Sequence, residues 1–141
     1  MDEFIQLKTD DEYIEAFSVL KELDGSLEPS QFISAMHHEL SNNVNLFAVV
    51  HSGKIVSVAA TWILITGLLK KILWIHAFVT TKEHRSKGFG KQLLSGLNKI
   101  AKENGCSEIR VHAHREKAIV FWTKYAGFKK FSQVFMKNNL V

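Results

Sequence analysis

The sequence lacks the segments and residues that usually mark secreted and membrane proteins. Its only cysteine, Cys106, excludes an intramolecular disulfide, and no apolar run is long enough to cross a membrane. No N-terminal apolar segment of the signal-peptide kind is present, and no metal-binding signature occurs. We therefore expect a cytoplasmic protein from a reducing compartment, without a membrane partner.

Composition and charge are those of one ordinary globular domain. The chain has 141 residues, of which 46% are hydrophobic and 23% charged, so we expect a single domain spanning residues 1–141. A formal net charge of +4 would suit a nucleic acid. The lysines are scattered, however, and no basic stripe with interleaved aromatic residues is present, so nucleic acid is not the expected partner.

The most informative stretch runs from residue 72 to residue 105. Its first part, Ile72–Val79, is apolar except for His76, which predicts a strand buried on both faces. Apolar residues then recur at helical spacing, so Gly88 and Gly90 lie at the beginning of a helix. A strand, a glycine turn and a helix form an architecture that binds anions.

Elementary electrostatics explains why that junction would attract an anion. The first turn of a helix carries N–H groups without intrahelical partners and a partial positive charge. Gly88 and Gly90 have no Cβ, so a ligand oxygen can approach the backbone closely. Four cationic side chains surround them, namely Lys82, Arg85, Lys87 and Lys91. The alternative interpretation is an ordinary helix start with solvated lysines.

The whole chain alternates strand and helix patterns. The predicted strands are Phe4–Lys8, Asn45–His51, Lys54–Ile65, Ile72–Val79, Ser107–His114 and Phe128–Met136. Helices are predicted after the N-cap Thr9, from near Pro29, from Phe89 to the C-cap Gly105, and over Glu116–Tyr125. The order β-α-α-β-β-β-α-β-α-β predicts an α/β (α+β) fold, with a mixed central sheet of about six strands flanked by four helices.

The glycine loop has the spacing of one known family signature. A Walker loop needs four residues between its first glycine and a Gly-Lys-Ser/Thr, and a dinucleotide fingerprint needs a third glycine; neither is present. Arg85, Gly88 and Gly90 instead resemble the Arg/Gln-x-x-Gly-x-Gly/Ala signature of the GNAT superfamily of N-acetyltransferases. The segment Ala118–Phe128 is similar to that family's second signature, and the order of elements is similar to that of its fold. Phe135-x-Lys137 also looks like one bacterial branch of small GNAT proteins.

The resemblance implies an acyltransferase that moves acetyl from acetyl-CoA to a primary amine of a small molecule or peptide. The amine would attack directly in a ternary complex, with a backbone N–H near Val79 stabilising the oxyanion, and no metal would be needed. The loop amides would hold the cofactor's pyrophosphate. The residues assigned to the cofactor are Phe78, Val79, Thr80, Arg85, Ser86, Lys87, Gly88, Phe89, Gly90, Lys91, Trp122 and Lys124. The protein would act as a monomer or a homodimer.

The second signature departs from the family where the family usually has a catalytic tyrosine. Counted from Ala118, the residue that would protonate the leaving thiolate of coenzyme A is Trp122, and an indole cannot do so. One extra residue precedes Gly127, so counting back from the glycine gives Thr123, also a poor acid. Tyr125, three residues after Trp122 on the same helical face, is the predicted general acid; the alternative is a core or rim tyrosine.

His76 is the predicted general base. It interrupts an apolar strand, and a histidine pKa of about 6.5 suits proton acceptance at neutral pH. It lies nine residues before Arg85, and the arylalkylamine acetyltransferases of this superfamily carry a histidine at that spacing. The alternative is a histidine that only fills the core. His112 and His114, near the end of the next strand, are lesser candidates.

Two functions remain open from the sequence. One is the acetyltransferase; the other is a coenzyme A-binding module of the same fold without transferase activity, which the missing tyrosine would suit. A nucleic-acid-binding function ranks third. The sequence does not identify the amine acceptor. Its pocket would be formed by the first two helices and residues 66–71. The side chains in these segments indicate no particular substrate; they include His37, His38, Leu68 and Leu69.

Overall fold

The computed structural model describes residues 2–23, 25–26, 28–39, 44–113, 115–132 and 135–138. The strands are β1 (Glu3–Gln6), β2 (Val44–His51), β3 (Lys54–Ile65), β4 (Lys71–Thr80) and β5 (Glu108–Val111). The helices are α1 (Asp10–Leu20), α2 (Pro29–Glu39), α3 (Phe89–Glu103) and α4 (Glu116–Val120), with a 3-10 turn at Lys82–His84 and a π-helical turn at Phe121–Tyr125. No helix among these residues is long and apolar enough to cross a membrane.

The strands form one mixed sheet in which their spatial order is their order in the chain. β1 to β4 pair antiparallel, and β5 pairs parallel with β4. The β2–β3 hairpin turns at Ser52 and Gly53, which both have positive φ, as a tight two-residue turn requires. α3 makes the crossover from β4 to β5, because parallel neighbours cannot be joined by a short turn.

Two hydrophobic cores lie on the two faces of this sheet. On one face, the apolar stripe of α3 packs on Leu73 and Ile75 of β4. On the other face, α1 contributes Tyr13 and Leu20 to a second cluster with β2 and β3. Successive side chains of a strand point to opposite faces, so Trp74, which lies between Leu73 and Ile75, belongs to the α1 face.

One close approach holds α3 against the edge of the sheet. Gly96, in the middle of the helix, faces the ring of Phe4 in β1. That ring stacks on Phe47 of β2 at a centroid distance of 5.5 Å. A Cβ at position 96 would overlap the Phe4 ring, so the packing of helix on sheet requires glycine there.

The predicted fold class is confirmed, and one predicted strand is missing. The predicted capping box is present: the Glu12 N–H donates to Thr9 Oγ1 at 3.2 Å, and Glu12 Oε1 accepts from the Thr9 N–H at 2.9 Å. The strand predicted over Phe128–Met136 does not form at its described residues, 128–132 and 135–136. Such a strand would need the edge of β5, and β5 ends at Val111, well short of the predicted His114, which lies outside the described residues.

Candidate active site

β4 and β5 separate halfway along β4. Their parallel pairing runs from Ile72 to Ile75 in β4 and from Glu108 to Val111 in β5. β5 ends there, whereas β4 continues to Thr80, still paired on its other edge with β3. Within the described ranges, the last part of β4 therefore has one edge without a strand partner. We call the space beside this unpaired edge, at the carboxyl end of β5, the wedge; ligands of such sheets bind at the carboxyl ends of the strands.

A β-bulge lies at the point of separation. Ile75 pairs with Thr61 of β3 and Ala77 pairs with Ala60, so His76 is the extra residue on β4. The bulge changes the alternation of side chains: Ile75 and Phe78 both pack on the α3 side. His76 is consequently freed from the regular ladder at the place where the wedge begins.

The His76 ring lies among other rings. Trp62 stacks on it at a centroid distance of 5.7 Å and an interplanar angle of 27°, and Trp74 lies 6.5 Å away. Its remaining side is exposed to solvent. The neighbours displace enough water to lower the pKa of His76 below its usual value of 6.5, and the charge of His112 lowers it further. His76 is therefore neutral at pH 7 and able to accept a proton.

The loop before α3 has the backbone shape of an anion site. Gly88, the N-cap of α3, has a φ of 88°, and Ser86 has a φ of 64°, so two left-handed residues lead the chain into the helix. No described side chain caps α3, and its first turn holds no acidic residue. The N–H groups of Phe89, Gly90 and Lys91 are therefore left to water or to a ligand.

The cations around this loop differ in their contacts. Arg85 Nε donates to the carbonyl of Thr80 at 3.0 Å, and its Nη2 lies 3.6 Å from Glu22 Oε1. The same Glu22 oxygen accepts from the N–H of Lys82 at 2.9 Å. Arg85 and Glu22 thus hold the loop against β4 and the end of α1. Lys87 is exposed and makes no ion pair within the described part of the chain, so its ammonium group is available to an anion.

A π-helical turn accommodates the extra residue of the second signature. The Ala126 N–H donates to the carbonyl of Phe121, five residues back, at 2.9 Å. The wider turn separates Trp122 from Tyr125: the former is buried, whereas the latter is 64% exposed. The two residues therefore do not share one face, contrary to the prediction, because the spacing of an α-helix does not hold here.

Tyr125 lies beside the first turn of α3. The ammonium group of Lys91 is 5.7 Å from the centroid of its ring. Four residues earlier, Phe121 packs on Phe78 of β4 at a centroid distance of 5.7 Å. A Cβ at Gly90 would lie 3.6 Å from Phe78 and 3.7 Å from Phe121. The free edge of β4, the glycine loop and the π-helical turn therefore meet at one place.

Some predicted cofactor residues have side chains committed elsewhere. Trp122 is 5% exposed and packs in the α3 core, so its indole has little surface for a ligand. The Val79 side chain is buried in the α1 core. The Thr80 hydroxyl lies 2.9 Å from that of Ser57. Only the backbones of Val79 and Thr80 could then serve a cofactor, whereas Lys124 is exposed.

Two contributors to this region had not been predicted. Glu22 meets Lys82 across sixty positions of sequence, so no local pattern could have joined them. Phe121 occupies the Phe/Leu position of the second signature, three residues after Ala118, and that match was the available signal. In the part of the chain that the structure describes, no three His, Cys, Asp or Glu residues lie so that they could hold a metal ion.

Comparisons with known sequences point to the same family. The family model described as the acetyltransferase (GNAT) family matches residues 4–128. An uncharacterized N-acetyltransferase of Bacillus subtilis strain 168, YhdJ, is 27% identical over 135 residues, which cover 94% of this chain and 95% of that protein. The range matched by the family model thus includes the wedge, the glycine loop and the whole of the second signature, Ala118–Phe128.

Solved structures share the fold over nearly the whole chain. An acetyltransferase of Trypanosoma brucei superposes with a TM-score of 0.82 at 19% identity, covering 98% of this chain and 99% of that one. The aminoglycoside N-acetyltransferase AAC(6')-Iy, in complex with CoA, superposes with a TM-score of 0.84 at 15% identity, covering 100% and 96%. At such identities the likeness establishes the fold alone.

Proposed function

Because the chain belongs to the GNAT acetyltransferase family and is therefore an acyltransferase, we propose that it transfers acetyl from acetyl-CoA to a primary amine by direct attack in a ternary complex. One observation carries the proposal, namely the meeting of the wedge, the uncapped first turn of α3 and the π-helical turn. A thioester whose phosphates lie on α3 could place its reacting end in the wedge, beside His76.

The glycine loop fits the pyrophosphate of acetyl-CoA in its donors and its space. The first N–H groups of α3 have no side-chain cap. A Cβ built on Gly88 would meet no atom within 4 Å, so the surface there is open to a phosphate. The ammonium groups of Lys87 and Lys91 would add charge-assisted hydrogen bonds of about 1.5–3 kcal/mol each. The free edge of β4 would pair with the amides of the pantetheine arm.

Starting from the ammonium group, the nitrogen loses two protons. The first goes to His76 and then to solvent before the attack, and the second, from the tetrahedral intermediate, replaces the proton that Tyr125 gives to the sulfur. The amine nitrogen attacks the thioester carbonyl carbon, the C–S bond breaks, and the products are an amide and coenzyme A. An alkylamine of pKa about 10.4 costs about 5 kcal/mol to deprotonate at pH 7, and His76 shares that cost by accepting the proton. A backbone N–H near Val79 stabilises the oxyanion. The Tyr125 hydroxyl, on the π-helical turn, protonates the departing thiolate.

A coenzyme A-binding module without turnover is the second candidate, and one observation favours it. The Tyr125 side chain is 64% exposed, and no described residue makes a hydrogen bond with its hydroxyl. A general acid held so loosely would be a poor one. The module would bind the cofactor at the same loop and leave the thioester intact.

Thioester consumption separates the two candidates. Acetyl-CoA is incubated with the protein and each member of a panel of primary amines, and free coenzyme A is measured; calorimetry gives the affinity for coenzyme A. We expect release with at least one amine. Binding without release across the panel would favour the module, and a protein that does not bind coenzyme A would refute both candidates.

Tyr125→Phe tests the assignment of the acid. It keeps the ring beside Lys91 and removes only the hydroxyl, so we expect kcat to fall by roughly 10²–10⁴-fold with no loss of stability. Tyr13→Phe is the matched control, because Tyr13 is buried in the α1 core with its hydroxyl 3.4 Å from the carbonyl of Leu7. The control should lower stability slightly and leave kcat unchanged. Equal kcat values in both variants would remove Tyr125 from the mechanism.

A further inference from the structure

Four rings form a continuous band on the α1 face of the sheet, next to the wedge. We call the band of Trp62, Trp74, His76 and His112 the aromatic wall. Trp62 and Trp74 stand directly opposite each other in the pairing of β3 with β4. His112, just after β5, meets the Trp74 ring edge-on at a centroid distance of 4.8 Å, and His76 stacks on Trp62.

The aromatic wall faces solvent rather than the core. Trp62 is 40% exposed, and His76 and His112 are both exposed. The core on the same face includes Leu46 and Val58, which α1 covers. An indole left open is unusual, because its large apolar surface is normally buried. Its position beside the predicted base makes this surface the place where an acceptor would lie.

The charges bordering the aromatic wall are cationic or already paired. The Glu108 carboxylate accepts from Lys70 Nζ at 2.9 Å and from Arg110 Nη2 at 2.9 Å, which lowers its pKa. Arg110, opposite Trp74 in the pairing of β4 with β5, places its guanidinium 4.6 Å from the ring centroid of Phe131. Among the described residues of β4 and β5, no carboxylate remains free to bind a second ammonium group. The described residues of these two strands therefore offer a polycation no carboxylate for a second ammonium group.

We propose that the acceptor is a primary amine joined by a short linker to a planar aromatic ring, with a single positive charge. The ring stacks on the exposed indole of Trp62, where aromatic pairs gain stability beyond the area they bury. The ammonium group is attracted by the ring faces before it loses its proton to His76. This inference rests on the proposed function and narrows its substrate class.

Direct binding of three probes, measured by calorimetry with coenzyme A present, tests the inference. The probes are 2-phenylethylamine, 2-cyclohexylethylamine, which has the same carbon skeleton without π electrons, and kanamycin, which is a polycation. We expect the dissociation constant of 2-phenylethylamine to be about tenfold lower than that of 2-cyclohexylethylamine. Kanamycin should bind more weakly than either.

Trp62→Leu tests whether the indole of Trp62 causes the preference for 2-phenylethylamine over 2-cyclohexylethylamine. Leucine keeps the position apolar and removes the indole, so the preference should fall to within about twofold while the affinity for coenzyme A stays unchanged. The control is Ile65→Ala, which truncates a 65% exposed side chain on the same strand and should keep the full preference. A preference that survives Trp62→Leu would overturn the inference.

The remaining outcomes separate the inference from the proposed function. Equal affinity for the two matched amines, tighter binding of kanamycin, or no binding of 2-phenylethylamine at millimolar concentration would overturn the inference. Consumption of acetyl-CoA with those amines would nevertheless leave the acetyltransferase standing. Preferential binding of 2-phenylethylamine without thioester consumption would support the inferred class of ligand and contradict the proposed acetyltransferase function.

Discussion

α1 and α3 begin in opposite ways. α1 satisfies its first N–H groups with its own chain: Thr9 and Glu12 form a capping box, and the first turn is acidic. The N–H groups of Lys8 and Thr9, which donate to the Glu12 carboxylate, lower its pKa. α3 begins at Gly88, without a described side-chain cap and without an acidic residue in its first turn.

We propose from this difference that the start of α1 serves the fold and that the start of α3 is left for a ligand. A capping residue stabilises a protein by about 1 kcal/mol, and α3 forgoes that contribution. Its donors point instead into a loop that carries Lys87 and Arg85. Changes near the start of α1 or in the core should therefore alter stability and spare catalysis. Changes at the start of α3 or in the wedge should do the opposite.

The largest effect is expected on the ligand side, from His76→Ala. Loss of the base should lower kcat/KM at subsaturating amine by roughly 10²–10⁴-fold, with little change in melting temperature because the side chain is exposed. The affinity for coenzyme A should stay the same. A His76→Ala protein that loses thermal stability but keeps its rate would show that His76 stabilises the fold and is not the general base.

The pH profile sharpens the same assignment. His76 must be neutral to accept a proton, and its pKa lies below 6.5, so kcat/KM should decline as pH falls through a value below 6.5. His112→Ala removes the neighbouring charge and should move this inflection upward. His76→Ala should abolish it. An inflection that is the same in all three proteins would exclude His76 as the titrating group.

A smaller effect, on stability alone, is expected from Gly96→Ala. The added methyl would overlap the Phe4 ring, and overpacking of this kind costs about 1–3 kcal/mol. Urea unfolding measures the change. Gly67→Ala is the control, since a Cβ there would meet no atom within 4 Å. The folded Gly96→Ala protein should bind coenzyme A with the affinity of the parent. Weakened binding would show that a change in the core also alters the ligand site, contrary to the separation proposed above.

Thr9→Ala should have the smallest effect of the series. It removes the acceptor of the Glu12 N–H and should lower the free energy of unfolding by about 1 kcal/mol. kcat should not change. A Thr9→Ala protein as stable as the parent would mean that the capping box contributes nothing to the free energy of unfolding. The starts of α1 and α3 would then not differ in their contribution to stability.

The fold was predictable where local pattern decides it. β3 has the predicted bounds, Lys54–Ile65, because a nearly continuous apolar run lies between the two-residue turn at Ser52-Gly53 and the turn at Thr66-Gly67. Pro29 begins α2 as predicted, since its φ and missing N–H suit a first helical turn. The position of the glycine loop at the start of α3 was likewise predictable, because its residues are neighbours in the sequence and one local pattern contains them all.

The rest depends on contacts between distant residues. The bulge at His76 is a property of the β3–β4 pairing, and no glycine or proline marks it. The predicted last strand shows that a strand-like pattern such as residues 128–136 states a preference, while a strand also needs an edge with which to pair. The π-helical turn separated Tyr125 from Trp122 because a single extra residue changes the helical spacing.

The central claim is that the start of α3 binds the cofactor, and the two glycines that flank this helix test it most directly. Gly88 and Gly105 have φ angles of 88° and 72°, and a Cβ on either would meet no atom within 4 Å. Alanine at either position should therefore cost the same 1–2 kcal/mol or so of stability, since both must hold a left-handed conformation. Calorimetric titration with coenzyme A then compares the two variants. We predict a dissociation constant at least about tenfold higher for Gly88→Ala and an unchanged one for Gly105→Ala; equal affinities in the two folded variants would contradict the claim.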